Sequence, residues 1–119
     1  MRIGNLVDAT VVALQDIKAR DIVVLDVKRL TALFDRIIIA SADSARQGKA
    51  LSSNVQEKLK ALGARIYGVE GEQTGEWILV DLGAVVVHIM QPAIRRYYNL
   101  EELWTPPPVR RRKGRVTAR

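Results

Sequence analysis

Cysteine is absent from the 119 residues. Its absence removes any disulfide framework, thiolate nucleophile or Cys-ligated zinc or iron–sulfur site, and it fits a reducing cytoplasm. Histidine occurs once, as His88, so a metal site would rest on one imidazole and scattered acids, a weak donor set. No metal or other cofactor is therefore expected. With 8 Gly and 4 Pro the chain is neither collagen-like nor low in complexity. The longest apolar stretch, Leu82 to Met90, is interrupted by His88 and falls far short of the ~20 residues that cross a bilayer. Asp8 lies inside any would-be signal core, which argues against a secretory peptide. Neither GxGxxG nor GxxxxGK[ST] occurs, so no phosphate cradle is present. A single soluble, cytoplasmic domain is the expectation.

What the chain does have is 48% hydrophobic residues and a formal net charge of +6. The excess charge is confined to one end. Residues 110–119 hold Arg110, Arg111, Arg112, Lys113, Arg115 and Arg119 with no acid, and residues 1–109 hold 13 basic and 13 acidic side chains. Such a tail can bind phosphate backbones through counterion release, or serve only as a solvated, solubilising end. The body is electrostatically balanced.

Along that body, Ile3, Val7, Val11, Leu14 and Ile17 recur at helical spacing and predict an amphipathic helix over about 3–18. Two strands follow, the β-branched run after Asp21 and then Phe34–Ala40. Asp43 or Ser44 is an N-cap for a second helix with the apolar line Leu51, Val55, Leu59, Leu62, and Gly63 is placed to end it. Arg65–Glu70 reads as a third strand, closed by the loop Gly71–Gly75. The segments EWILVDL and AVVVHIM around Gly83 read as a hairpin. Pro92 can start a short helix, and Leu100–Trp104 is a final amphipathic turn. The predicted order is α-β-β-α-β-β-β-α: an α/β fold with a mixed sheet of about five strands and helices packed on it. Residues 1–104 form the domain, and residues 105–119 are a Pro-rich break and basic tail.

A two-residue turn at Gly83–Ala84 would pair Leu79 with His88 and Trp77 with Met90. One hairpin face is then aliphatic and suits a core, while the other carries Trp77, Asp81, His88 and Met90. A face that mixes Trp and Met with a carboxylate and an imidazole is either a contact surface or a second small core covered by the C-terminal turn with Tyr98 and Trp104. An Asp81–His88 pair alone lacks the nucleophile or second carboxylate that acid–base catalysis would use. No catalytic residue is expected.

Gly75–Pro92, continuing through Arg95, Tyr98 and Leu100–Trp104, closely resembles the ribosomal silencing factors, the Iojap-related RsfS family. Ala13–Val27, Ser44–Lys60 and Val69–Glu72 resemble the same family, so the likeness spans about residues 5–104. The resemblance implies a nucleotidyltransferase-like mixed sheet and a non-catalytic translation repressor. It implies docking on the large ribosomal subunit through ribosomal protein fourteen, steric blocking of joining with the small subunit, and a homodimer when free. Carried over position by position, the implied partner-binding residues are Trp77, Asp81, His88, Arg95, Tyr98, Leu100 and Trp104, and the hairpin reading adds Met90 beside Trp77 as an apolar contact. Arg46 and Gln47 also match, with local capping as their simpler role. Ala84 and Ala45 depart from the family pattern, which favours an acid and Asn or Ser there.

Two other functions compete. A nucleotidyl-transferring enzyme would use a Gly-Ser or Gly-Gly element and paired acids to hold two metals; here Asp81 precedes Leu82 and Gly83, Asp26 precedes Val27 and Lys28, and no Gly-Ser pair exists. A generic RNA-binding module would act through Arg110, Arg111, Arg112, Lys113 and Arg115 alone. The same tail on a docked factor would reach ribosomal RNA.

Overall fold

The computed structural model describes residues 1–105. Helix α1 (Ile3–Asp16) leads into strands β1 (Arg20–Asp26) and β2 (Arg36–Ser41), then helix α2 (Ala45–Ala61). Strands β3 (Gly68–Glu70), β4 (Trp77–Asp81) and β5 (Val85–Met90) follow, and helices α3 (Pro92–Tyr98) and α4 (Leu100–Trp104) end the described chain. The five strands form one mixed sheet in the order β1-β2-β5-β4-β3, in which only β2 and β5 run parallel.

The expected architecture is present, with local differences that have physical causes. The segment Leu100–Trp104 is a helix rather than a turn, so two helices end the described part of the chain instead of one. Asn99 separates them in a left-handed conformation (φ 48°), which asparagine tolerates better than most residues. The third strand is shorter than Arg65–Glu70. Gly68 pairs with Asp81, the last residue of β4, and the Tyr67 amide finds the Asp81 carbonyl, so nothing further along β4 remains for Arg65 and Ile66. Helix α1 stops two residues early, where Lys18 turns left-handed (φ 65°).

Two cores sandwich the sheet. On one side α1 and α2 lay Leu6, Leu14, Leu51, Val55 and Leu59 against Ile38, Ile78, Val80, Val87 and Ile89. Each such fully buried aliphatic side chain contributes roughly 1.5–3 kcal/mol. Ser44 caps α2 by accepting the Gln47 amide at 3.0 Å. Gln47 also binds the preceding segment: its Nε2 donates to the carbonyls of Ile17 and Lys18, and its Oε1 accepts the Asp43 amide. It therefore stitches the end of α1 to the start of α2. On the opposite side a smaller core gathers Val27, Ile37, Ile39, Met90 and Leu100, flanked by Phe34, Trp77, Ile94 and Trp104.

Candidate partner-docking face

The second face is built by period-two alternation in the hairpin. Cross-strand register pairs Trp77 with Met90 and Leu79 with His88, as the Gly83–Ala84 turn requires. Gly83 occupies the left-handed position (φ 87°), and the Leu82 amide donates to the Val85 carbonyl to close the turn. Asp81 caps the same turn: its Oδ1 accepts the Gly83 amide at 2.8 Å.

Trp77 and His88 are diagonal neighbours, and Trp77 Nε1 donates to His88 Nδ1 at 3.0 Å. Indole can only donate, so Nδ1 is unprotonated and the neutral ring carries its proton on Nε2. Burial disfavours the charged imidazolium and pushes the His88 pKa down to about 4. Next to the pair, Tyr98 lies against Trp77 with ring centroids 4.8 Å apart, and Tyr97 meets Tyr98 edge-on at 5.0 Å. Contacts of this kind add about 0.5–1.5 kcal/mol each beyond buried area. Tyr97 is 81% exposed, so this aromatic row runs from the hairpin out to the surface.

At the other end of the face, Trp104 meets Phe34 edge-on with centroids 5.4 Å apart. Leu33 and Leu103 beside them are 82% and 71% exposed. A cleft of about 450 Å³ opens here, lined by Leu33, Phe34, Tyr67, Glu70, Leu79 and Asp81 among others. Its walls carry two carboxylates and no basic side chain.

The site residues named from sequence thus divide. Trp77, His88 and Tyr98 are brought together as one aromatic–imidazole cluster, and Asp81 and Trp104 stand at the margins of the cleft and the small core. His88, Met90, Leu100 and Arg95 are all buried, at 9% exposure or less, so in this arrangement they are internal rather than presented to a partner. Met90 faces inward because β5 is the central strand, covered on both faces. Asp81 and His88 are engaged separately, by Gly83 and Trp77. Arg110, Arg111, Arg112, Lys113 and Arg115 lie outside the described residues. Leu33, Phe34, Tyr67 and Tyr97 were not singled out from sequence. The one available signal was the apolar pair Leu33–Phe34 in an interstrand segment that also holds Leu30 and Ala32.

A sequence profile of the family described as "ribosomal silencing factor during starvation" matches residues 2–118. The chain belongs to the RsfS family. The match runs further into the C-terminal segment than the likeness over residues 5–104. A Chromobacterium violaceum ribosomal silencing factor RsfS is 53% identical over 104 residues, covering 87% of this chain and 85% of that one. A crystal structure of a protein from the same organism superposes with a TM-score of 0.86 at 51% identity, covering 91% of this chain and 92% of that one. A mouse protein named "Mitochondrial assembly of ribosomal large subunit protein 1" is 34% identical over 102 residues, 83% of this chain and 45% of the mouse protein. RsfS membership makes this a ribosome-associated translation regulator. No described helix is long and apolar enough to cross a membrane.

Proposed function

We propose that the protein represses translation by docking the exposed margin of its second sheet face, around the Phe34–Asp81 cleft and the Tyr97–Tyr98 row, on the large ribosomal subunit and sterically blocking small-subunit joining, without catalysis. The observation that carries this reading is the cleft between Phe34, Tyr67, Leu79 and Asp81, apolar in its walls and acidic in its only charges. Exposed aromatic and aliphatic side chains supply buried area in an interface core, and a carboxylate at the rim selects a basic partner and speeds encounter. Ribosomal protein fourteen is the partner implied by the family likeness, and a basic group on it would meet Asp81 or Glu70. Family membership and the name of the mouse relative both support a large-subunit association. The protein acts in the cytoplasm and is a homodimer when free, and its basic tail reaches neighbouring ribosomal RNA.

Co-sedimentation with purified large subunits, followed by addition of small subunits, tests this directly. The expected result is stoichiometric binding with loss of joined particles, and Trp77→Ala should weaken both. Binding that survives Trp77→Ala and Asp81→Ala but vanishes without residues 110–119 would instead identify an RNA-binding module acting through the tail.

A further inference from the structure

Helix α3 has seven residues and α4 has five, too few for either to hold its shape alone in water. Asn99 interrupts the backbone between them, so something beyond local helix propensity must fix α4. The guanidinium of Arg95 supplies that connection. Arg95 is only 9% exposed. Its Nη1 donates to the Asp21 carbonyl at 2.7 Å and to Ser41 Oγ at 2.8 Å. Its Nη2 and Nε donate to Oε2 of Glu101 at 2.8 and 3.1 Å. One side chain thus joins the edge strand β1, the end of β2 and the first turn of α4.

The receiving end is shaped for it. The β1–β2 register shifts between Arg20 and Val23, and Asp21 there adopts φ 51°. A bulge of this kind takes a residue out of the ladder, and Arg95 satisfies the carbonyl at that point. We propose that Arg95 is a positioning residue for the docking face: through Glu101, Ser41 and the Asp21 carbonyl it holds α4 in place, so that Leu100 and Trp104 cover the second face, without itself touching the partner. The inference rests on the docking reading of that face.

The chemistry is specific to arginine. A planar fork can address one carboxylate from two nitrogens while a third reaches two further oxygens; a lysine ammonium cannot span that set. Removing either charge leaves the other half-buried or buried without its partner. Helix α4 then detaches while the larger core on the opposite face stays folded, because local opening follows the least-supported element.

Arg95→Lys and Glu101→Gln test this, with the exposed neighbour Arg96→Ala as the control. In the free protein, amide exchange over Leu100–Trp104 should accelerate by about tenfold or more in the first two variants, as loss of a charge-assisted hydrogen bond predicts. Amides of Ile38 and Val87 should keep their protection, and Arg96→Ala should change neither region. Should Arg95→Lys unfold the whole domain, Glu101→Gln, which retains shape, carries the same measurement. Large-subunit affinity should fall in the same two variants, and adding Trp104→Ala to Arg95→Lys should cost no more than the larger single change. Wild-type exchange rates at Leu100–Trp104 in both variants, or affinity losses that simply multiply, would overturn the assignment. Failure of the wild-type protein to bind large subunits would overturn the docking reading, and the exchange experiment would still decide whether Arg95 holds α4.

Discussion

Trp77 Nε1 donates to His88 Nδ1 across the β4–β5 ladder, so the only imidazole in the chain is held neutral and used as an acceptor. The consequence is a pH dependence of stability. The unfolded imidazole takes up its proton near pH 6.5 and the folded one only near pH 4. Between those values the unfolded state binds more protons, so stability falls as pH drops through that window and is fully present above it. The expected loss is up to about 1 kcal/mol per pH unit. Urea midpoints of wild type and His88→Gln between pH 7 and pH 4 check this, and the variant should lack the imidazole's share of the slope, leaving the part from carboxylates such as Asp43.

Two left-handed glycines should respond differently to alanine. Gly63 (φ 89°) has open space where a Cβ would stand, whereas at Gly71 (φ 88°) the Cβ would lie 2.0 Å from the Trp77 carbonyl oxygen. Gly63→Ala therefore carries backbone strain alone, about 1 kcal/mol, and Gly71→Ala adds a backbone clash for a total above about 3 kcal/mol. Thermal unfolding of both variants gives the comparison. Equal losses would contradict the close approach of the Gly71 loop to β4.

Asp81→Asn separates the turn from the proposed docking role. An asparagine oxygen can still accept the Gly83 amide, so stability should change by less than about 1 kcal/mol. The lost charge should weaken large-subunit binding about threefold to tenfold, mainly through slower association and a weaker salt response. Affinity measured at two ionic strengths decides it, and unaltered binding would remove Asp81 from the interface.

Deleting residues 110–119 removes six positive charges and no negative ones. If the tail contacts ribosomal RNA, affinity should fall and its logarithmic dependence on salt should flatten, each lost phosphate contact removing just under one unit of slope. Sedimentation across a salt series measures both. An unchanged slope takes the tail out of the mechanism.

The hairpin was the most legible part of the fold. A glycine that tolerates a left-handed turn and two runs of alternating residues leave one register, and Trp77–Met90 and Leu79–His88 are its pairs. Alternation separates two faces without saying which is covered, and of the two readings of the second face the structure shows the small core covered by the C-terminal segment with Tyr98 and Trp104. Met90, from the hairpin, and Leu100, carried over from the family likeness, were read as contact residues, and both lie in the small core. Arg95 was carried over from the family likeness, and it is buried. Its partners Asp21, Ser41 and Glu101 come from three separate stretches of chain, and no spacing rule connects them. Gln47 was legible as a capping-region residue, but its hold on Ile17 and Lys18 comes from the tertiary fold.

The central place of β5 has a consequence for incomplete chains. Before Val85 is present, β1–β2 and β3–β4 are two separate ladders, since β5 alone joins them. A product that ends early, by premature termination or proteolysis, would expose the inner edges of both pairs to other chains. Loss of this strand is thus all-or-none at the level of folding: a fragment without residues 85–90 would be a substrate for quality control rather than a partly active protein.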